Sequence, residues 1–181
     1  KVIGDYDPDD IKALSHEEFK ELHNSRFKNY ILNAVESGLL DQRLVTNFDL
    51  DDLGSYLNID NDELYKYSGL STMLNRYLVK NEKQQPLETP QYFWMRVAMG
   101  MALNEKHPNE WAKKFYTKMS ALEYLSAGST NIGSGTPKPK LSNCFLMEIH
   151  DDMAHIGKTV SDVLMLSKAT GGIGLSVTKL R

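Results

Sequence analysis

A single thiol and a hydroxyl-rich loop are the groups in this chain best suited to chemistry. The thiol is Cys144, in the run Leu141–Ser142–Asn143–Cys144–Phe145–Leu146. A thiolate is both a nucleophile and a redox group. It is the one cysteine in 181 residues, so no disulfide can close within the chain. That fits a reducing compartment, or a partner cysteine on another piece of protein. Taken alone, a lone strand cysteine reads more readily as a small buried hydrophobe. Just upstream, residues 126–140 crowd Gly128, Ser129, Thr130, Gly133, Ser134, Gly135 and Thr136 together. Backbone N–H groups and hydroxyls at that density suit a phosphate cradle. The same composition suits a flexible linker. No Walker motif and no dinucleotide fingerprint is present.

These groups need a frame. Leu141 to Ile149 reads as a short apolar strand. Asp151–Asp152 then opens a helix at its positive end, and Lys168 sits at its negative end. Met153, Ile156, Val160, Val163 and Leu164 are the positions expected to face the core, and Gly171–Gly172 ends the helix. Ile173 to Val177 is a second strand. Strand, crossover helix, strand predicts a parallel pair. Two parallel strands leave both faces uncovered, so further strands are expected from elsewhere, and the chain reads as the opening of something larger.

Upstream the pattern is helical. Ser15–His16–Glu17–Glu18 has capping-box spacing, followed by Phe19, Leu22, Tyr30, Ile31, Ala34 and Val35, with Gly38 as a stop. Tyr65, Tyr67, Leu70, Met73, Leu74, Tyr77 and Leu78 form an aromatic stripe of the kind that packs into a core. Lys80 to Leu87 reads as a polar turn. Thr89–Pro90 starts a helix that is apolar nearly all round, through Phe93, Trp94, Val97, Ala98, Met101 and Ala102. His107–Pro108 breaks it, and Trp111, Phe115, Met119 and Leu122 carry the next. Residues 1–14 read as a polar, ordered lead-in. The division expected is 1–125 helical and 126–181 loop, strand, crossover helix and strand.

Composition narrows the function classes. A net charge of −3 gives no basic stripe for nucleic acid. No apolar run reaches membrane-spanning length and no signal peptide is visible, which points to a cytoplasmic protein. The chain begins at Lys1, so a missing start is expected. Asp49, Asp51, Asp52, Asp60, Asp62 and Glu63 cluster, but their spacing does not fit the twelve-residue calcium loop and lacks its glycine. Helix capping, by Asp49 and Asp60, is the expectation there, and no metal site.

The ordered set of motifs is similar to the large, catalytic subunit of ribonucleotide reductase. It comprises the cysteine strand, Asp151–Asp152–Met153 with Ile156, Leu166–Ser167–Lys168, Gly171–Gly172–Ile173–Gly174 and the final Arg181. Glu88–Thr89–Pro90–Gln91 and Met95–Arg96–Val97–Ala98, with Tyr77–Leu78 before them, resemble the family's upstream helical signature. The resemblance runs from about Leu70 to Arg181 and more faintly back to residue 15. It implies a mainly α N-terminal domain followed by the first β-α-β unit of a ten-stranded α/β barrel.

Members of that family reduce ribonucleotides to 2′-deoxyribonucleotides through a cysteine thiyl radical and a redox cysteine pair. Cys144 matches the first member of that pair. Asn143 falls at a substrate-contacting place where the family usually has serine, and Ser129 falls near its phosphate- or ribose-holding hydroxyl. Gly171 and Gly172 match the turn that lets backbone approach substrate. Asp152, with Met153 and Ala154 beside it, matches the effector carboxylate, and Lys168 and Arg181 match the basic contacts to a dNTP or ATP effector. Simple helix-dipole pairing also accounts for Asp152 and Lys168, and the two readings can hold together.

The resemblance further implies a homodimer through the crossover helix and a thioredoxin- or glutaredoxin-type reductant. It implies a class I type with a metal-containing, radical-generating small subunit; the adenosylcobalamin-using class II shares the cysteine and glycine motifs. No cofactor is expected on this chain itself. The radical cysteine, the second redox cysteine and the acid–base glutamate fall beyond Arg181 in family members. The chain alone is therefore expected to be inactive without the rest of the subunit, whether that is a split chain, an intein-separated piece or a longer product. A non-catalytic nucleotide-binding or assembly module is the competing reading.

Overall fold

The structure is a computed structural model and describes residues 12–168 and 171–181. Most of the lead-in 1–14 lies outside the described residues. Helix α1 (His16–Glu36) begins at Ser15 with both halves of the capping box made. Ser15 Oγ accepts from the Glu18 N–H at 3.3 Å, and the Glu18 carboxylate accepts from the Ser15 N–H at 2.8 Å. It buries Phe27, Tyr30, Ile31 and Ala34 and ends at Gly38, whose φ of +69° suits glycine. Two short helices follow, α2 (Arg43–Thr46) and α3 (Leu50–Ser55), then a 3₁₀ turn over Ile59–Leu64 and α4 (Tyr67–Arg76).

Asp49 caps α3, accepting from the Asp51 and Asp52 N–H groups at 3.1 Å. The second expected cap is different. Asn58, not Asp60, caps the 3₁₀ turn, and the Asp60 carboxylate instead meets His16 at 2.7 Å and Lys20 at 3.2 Å. The Asp60 carboxylate is drawn to the Lys20 ammonium and the His16 ring on α1 rather than to the backbone of the 3₁₀ turn. The aromatic stripe also divides. Met73 and Leu78 are buried, whereas Tyr67 is 89% exposed, because α4 lies on the core by one edge only.

Helix α5 (Pro90–Ala102) is the axis of the helical domain. Thr89 caps it, and every residue but Pro90 and Met101 is buried. It packs along α6 (Pro108–Ser120) and against α1, where Tyr92 stacks on Tyr30 at 5.2 Å. Arg96 and Glu88 lie within this core with fully buried side chains, paired at 2.9 Å.

The stretch expected to be loop contains a helix, α7 (Gly128–Gly133), laid against α5. Its sequence is a poor helix former, and its end is held to α5 by the Arg96 side chain and the Val97 carbonyl, so tertiary contact overrides propensity.

The remaining elements are β1 (Cys144–His150), α8 (Met153–Lys168) and β2 (Gly172–Lys179). The strands are parallel, with Cys144 opposite Gly172 and Phe145 opposite Ile173, and a bulge between Glu148 and His150. Among the described residues this sheet has two strands. The helix meets the sheet through Ile156, Thr159, Val163 and Leu166, not through the whole expected set. Met153, Val160 and Leu164 lie on a second apolar face and are 80%, 53% and 65% exposed. One helix on two strands has only one neighbour to bury against, so half its apolar surface stays open. No described helix is long and apolar enough to cross a membrane.

His23 is buried on α1, with Nε2 2.9 Å from the Thr89 hydroxyl. Burial holds its pKa below the ordinary value, with Asn24 opposing. The folded state thus favours neutral imidazole. Its contribution is complete above the unfolded value of about 6.5 and is lost as pH falls from there toward the depressed folded value. Stability measured by urea unfolding should therefore drop between about pH 7.5 and 5.5, and His23→Gln should flatten that part of the profile.

Candidate active site

Cys144 opens β1. The strand's covered face carries Phe145, Met147 and Ile149, while Cys144, Leu146 and Glu148 point to the other side, with Leu146 89% exposed. As α8 is the helix packed on this sheet, the thiol lies on the face away from the crossover helix. It is free and exposed, so it is not the small buried hydrophobe that a lone strand cysteine could have been.

The glycines face it across the ladder. Gly172 N–H donates to the Asn143 carbonyl at 2.8 Å. A Cβ on Gly171 would fall 2.7 Å from the Phe145 ring, so a side chain there would push the turn off the strand. Asn143 lines a cleft of about 450 Å³, together with Ser129, Ile132, Gly133, Thr136, Lys138 and Lys140. Ser129 Oγ reaches the Ser142 carbonyl at 3.5 Å, and Thr130 Oγ1 donates to the Leu141 carbonyl at 3.3 Å. The structure thus brings Ser129, Asn143, Gly171 and Gly172 around the start of β1, with Cys144 beside the cleft and outside its lining. Hydroxyl, amide and two lysines make the cleft chemically suited to a phosphorylated, hydroxyl-bearing ligand.

The expected effector residues do not form one group within the chain. Asp152 is the cap of α8, its carboxylate accepting from the His155 N–H at 2.9 Å. Met153 and Ala154 are exposed in the helix's first turn. Arg181 pairs with Asp151, not with Asp152. Lys168 lies at the far end of α8, about 22 Å along the axis at 1.5 Å per residue.

Sequence reasoning passed over several neighbours. Asp151 is the carboxylate left available once Asp152 caps the helix, and the residue immediately before the first helical turn was the signal for that. Lys138 and Lys140 stand in Thr136–Pro137–Lys138–Pro139–Lys140, two cations on an extended run into the strand. His150 and His155 stack at 4.4 Å, and Lys179 meets Glu148 at 2.8 Å, a hydrogen bond that holds the glutamate below its usual pKa. The register shift that sets Lys179 opposite His150 places an extra residue in β2 beside this group, and no sequence pattern announces it. Among the described residues, no three His, Cys, Asp or Glu side chains converge as a metal would require.

A helical domain joined to a parallel β-α-β unit, with a thiol at the head of its first strand and glycines opposite, places the chain among α/β proteins with a helical N-terminal domain. Comparison with known proteins names the family. The description "Ribonucleotide reductase, all-alpha domain" matches residues 63–139, and "Ribonucleotide reductase, barrel domain" matches 142–181. Ribonucleoside-diphosphate reductase subunit alpha of Chlamydia pneumoniae is 42% identical over 162 residues, covering 89% of this chain and 15% of that protein. The subunit alpha of Helicobacter pylori strain 26695 is 34% identical over 154 residues, covering 85% and 20%. The yeast large chain 2 is 35% identical over 132 residues, covering 72% and 15%. The chain belongs to the ribonucleotide reductase large-subunit family, and it spans about 15–20% of the length of these relatives.

The two adjacent aspartates should separate in experiment. Asp152→Ala should destabilise α8 by about 0.5–2 kcal/mol, read as faster amide exchange through its first turns. Asp151→Ala, which removes an exposed ion pair, should leave that exchange within about 0.5 kcal/mol of the wild type.

Proposed function

We propose that this chain acts as part of the catalytic subunit of a ribonucleoside-diphosphate reductase, with Cys144 as one member of the redox cysteine pair. The observation that carries this is the position of the thiol. It is exposed at the head of β1, on the face away from α8, beside a cleft shared by Ser129 and Asn143. Substrate phosphate or ribose hydroxyls occupy that cleft, held by Ser129, Asn143 and the nearby lysines. The glycine turn at Gly171–Gly172 lets the ribose approach the backbone.

The remainder of the subunit supplies the radical cysteine and the second redox cysteine. A radical generator on a metal-containing small subunit supplies the oxidising equivalent, and no residue of this chain is asked to hold it. Cys144 gives a proton to the departing 2′ hydroxyl, which leaves as water. The pair then surrenders two electrons and closes a disulfide as the carbon gains hydrogen. A thioredoxin- or glutaredoxin-type dithiol reopens it.

The N-terminal end of α8 is the effector end. Asp152, Met153 and Ala154 present it, and Arg181 contributes a cation for a dNTP or ATP phosphate. Lys168 joins through a second copy. Antiparallel pairing of two α8 helices along the exposed Met153, Val160 and Leu164 face sets the Lys168 end of one beside the Asp152 end of the other. Effector binding and dimerisation are then linked.

Cys144→Ser in the complete subunit should lower turnover with a dithiol reductant by roughly 10²–10⁴-fold, the range for losing a proton-transfer group, with dNTP binding retained. Turnover that survives the change overturns the redox role. A wild-type subunit that binds dNTP yet never reduces a ribonucleotide favours a binding or assembly module instead.

A further inference from the structure

Arg96 is buried in the middle of α5 and does more than neutralise Glu88. Its Nε and Nη2 form a two-pronged pair with the carboxylate, at 3.0 and 2.9 Å. Its remaining nitrogen, Nη1, donates to two backbone carbonyls, Ser134 at 2.6 Å and Asn131 at 3.3 Å. Both carbonyls belong to the end of α7 and the turn after it. The same segment is fixed by Ser134 Oγ, which donates to the Val97 carbonyl at 2.8 Å. It also touches α5 directly, since a Cβ on Gly100 would fall 2.1 Å from the Gly135 nitrogen. The other side of α7 faces the cleft. Ser129, Ile132, Gly133 and Thr136 line it, and Thr130 ties α7 to the entry of β1.

We propose that Arg96 is a positioning residue for the cleft, setting the seat of α7 and hence the separation of Ser129 from Asn143. This rests on the reading of the cleft as the ribonucleotide site. The side chain suits the task because a planar guanidinium can bind a carboxylate with two nitrogens while a third holds carbonyls in the same plane. An ammonium can do one or the other. A buried ion pair kept only for stability gains little over apolar packing, so the carbonyl bonds are the feature that singles out arginine here.

The test compares the complete wild-type subunit with Arg96→Lys. The Michaelis constant for a ribonucleoside diphosphate should rise about tenfold while kcat stays within about twofold, the pattern of a misplaced binding group. Amide exchange should quicken over residues 128–135 and not over 27–31, and dNTP affinity should not change. A purely structural pair predicts instead less active enzyme with an unmoved Michaelis constant, and that result overturns the proposal. Should Arg96→Lys fail to fold, Ser134→Ala removes the hydroxyl that fastens the same turn to the Val97 carbonyl of α5, away from the buried charges. It should raise the Michaelis constant in the same direction by a smaller factor, and no rise overturns the proposal. An inactive wild-type subunit overturns the reading of the cleft, and the inference with it. Normal wild-type turnover with an unmoved constant in the folded variants overturns the inference alone.

Discussion

The Glu88 carboxylate and Arg96 guanidinium are both withdrawn from water, and the rest of the helical domain is arranged around satisfying them. Glu88 accepts from the Tyr30 hydroxyl at 2.5 Å, from the Val79 N–H at 2.8 Å and from two nitrogens of Arg96. One carboxylate therefore joins α1, the turn before α5 and α5 itself. Burial opposes the charge on Arg96, but the neighbouring carboxylate outweighs it and holds the guanidinium charged. Burial likewise pushes the Tyr30 hydroxyl well up, with Glu88 adding to it, so Tyr30 serves as a donor. Losing one member of such a set leaves an uncompensated charge, typically about 3–5 kcal/mol. The three elements are thereby held in one arrangement, and α7 is added to it through the carbonyls that Arg96 reaches.

The β-α-β unit has no such closure. Its buried residues are few, Ile149 and Thr159 among them, while Leu146, Leu175 and Val177 remain open. The cleft sits at the seam between the two regimes. One wall, α7, is fastened to a closed core. The other, the start of β1 with Asn143, belongs to a parallel pair that needs cover on both faces. The first wall is fastened chiefly to the helical domain, with Thr130 linking it to the entry of β1, and the geometry of the second depends on what covers the sheet.

Much of this was legible where the determinants are local. Ser15 with Glu18, Asp49 before Leu50, and Thr89 before Pro90 each mark a helix start within four residues, and each cap is made. The crossover order of strand, helix and glycine turn was legible for the same reason. Helix α7 was not, since glycine and hydroxyl residues argue against helix and the groups that hold it come from α5, more than thirty residues away in sequence. Asp60 failed as a cap for a related reason: its partners lie on α1, and sequence proximity says nothing of them. The Asp151–Asp152 pair shows the limit most clearly. Two identical side chains stand side by side, and only the place where the helix begins decides which caps and which meets Arg181.

The direction of the Cys144 side chain follows from the crossover. Alternation along β1 sends Phe145, Met147 and Ile149 toward α8 and so sends Cys144 the other way. In an α/β barrel the crossover helices form the outer layer, and the face away from them is the interior. A thiol at the head of a strand on that face is exposed here and enclosed once neighbouring strands complete the wall. An enclosed site strengthens each electrostatic contact and keeps water from the groups inside it. Among the described residues, the exposure of this cysteine goes with the open face of the sheet, which Leu146 shares.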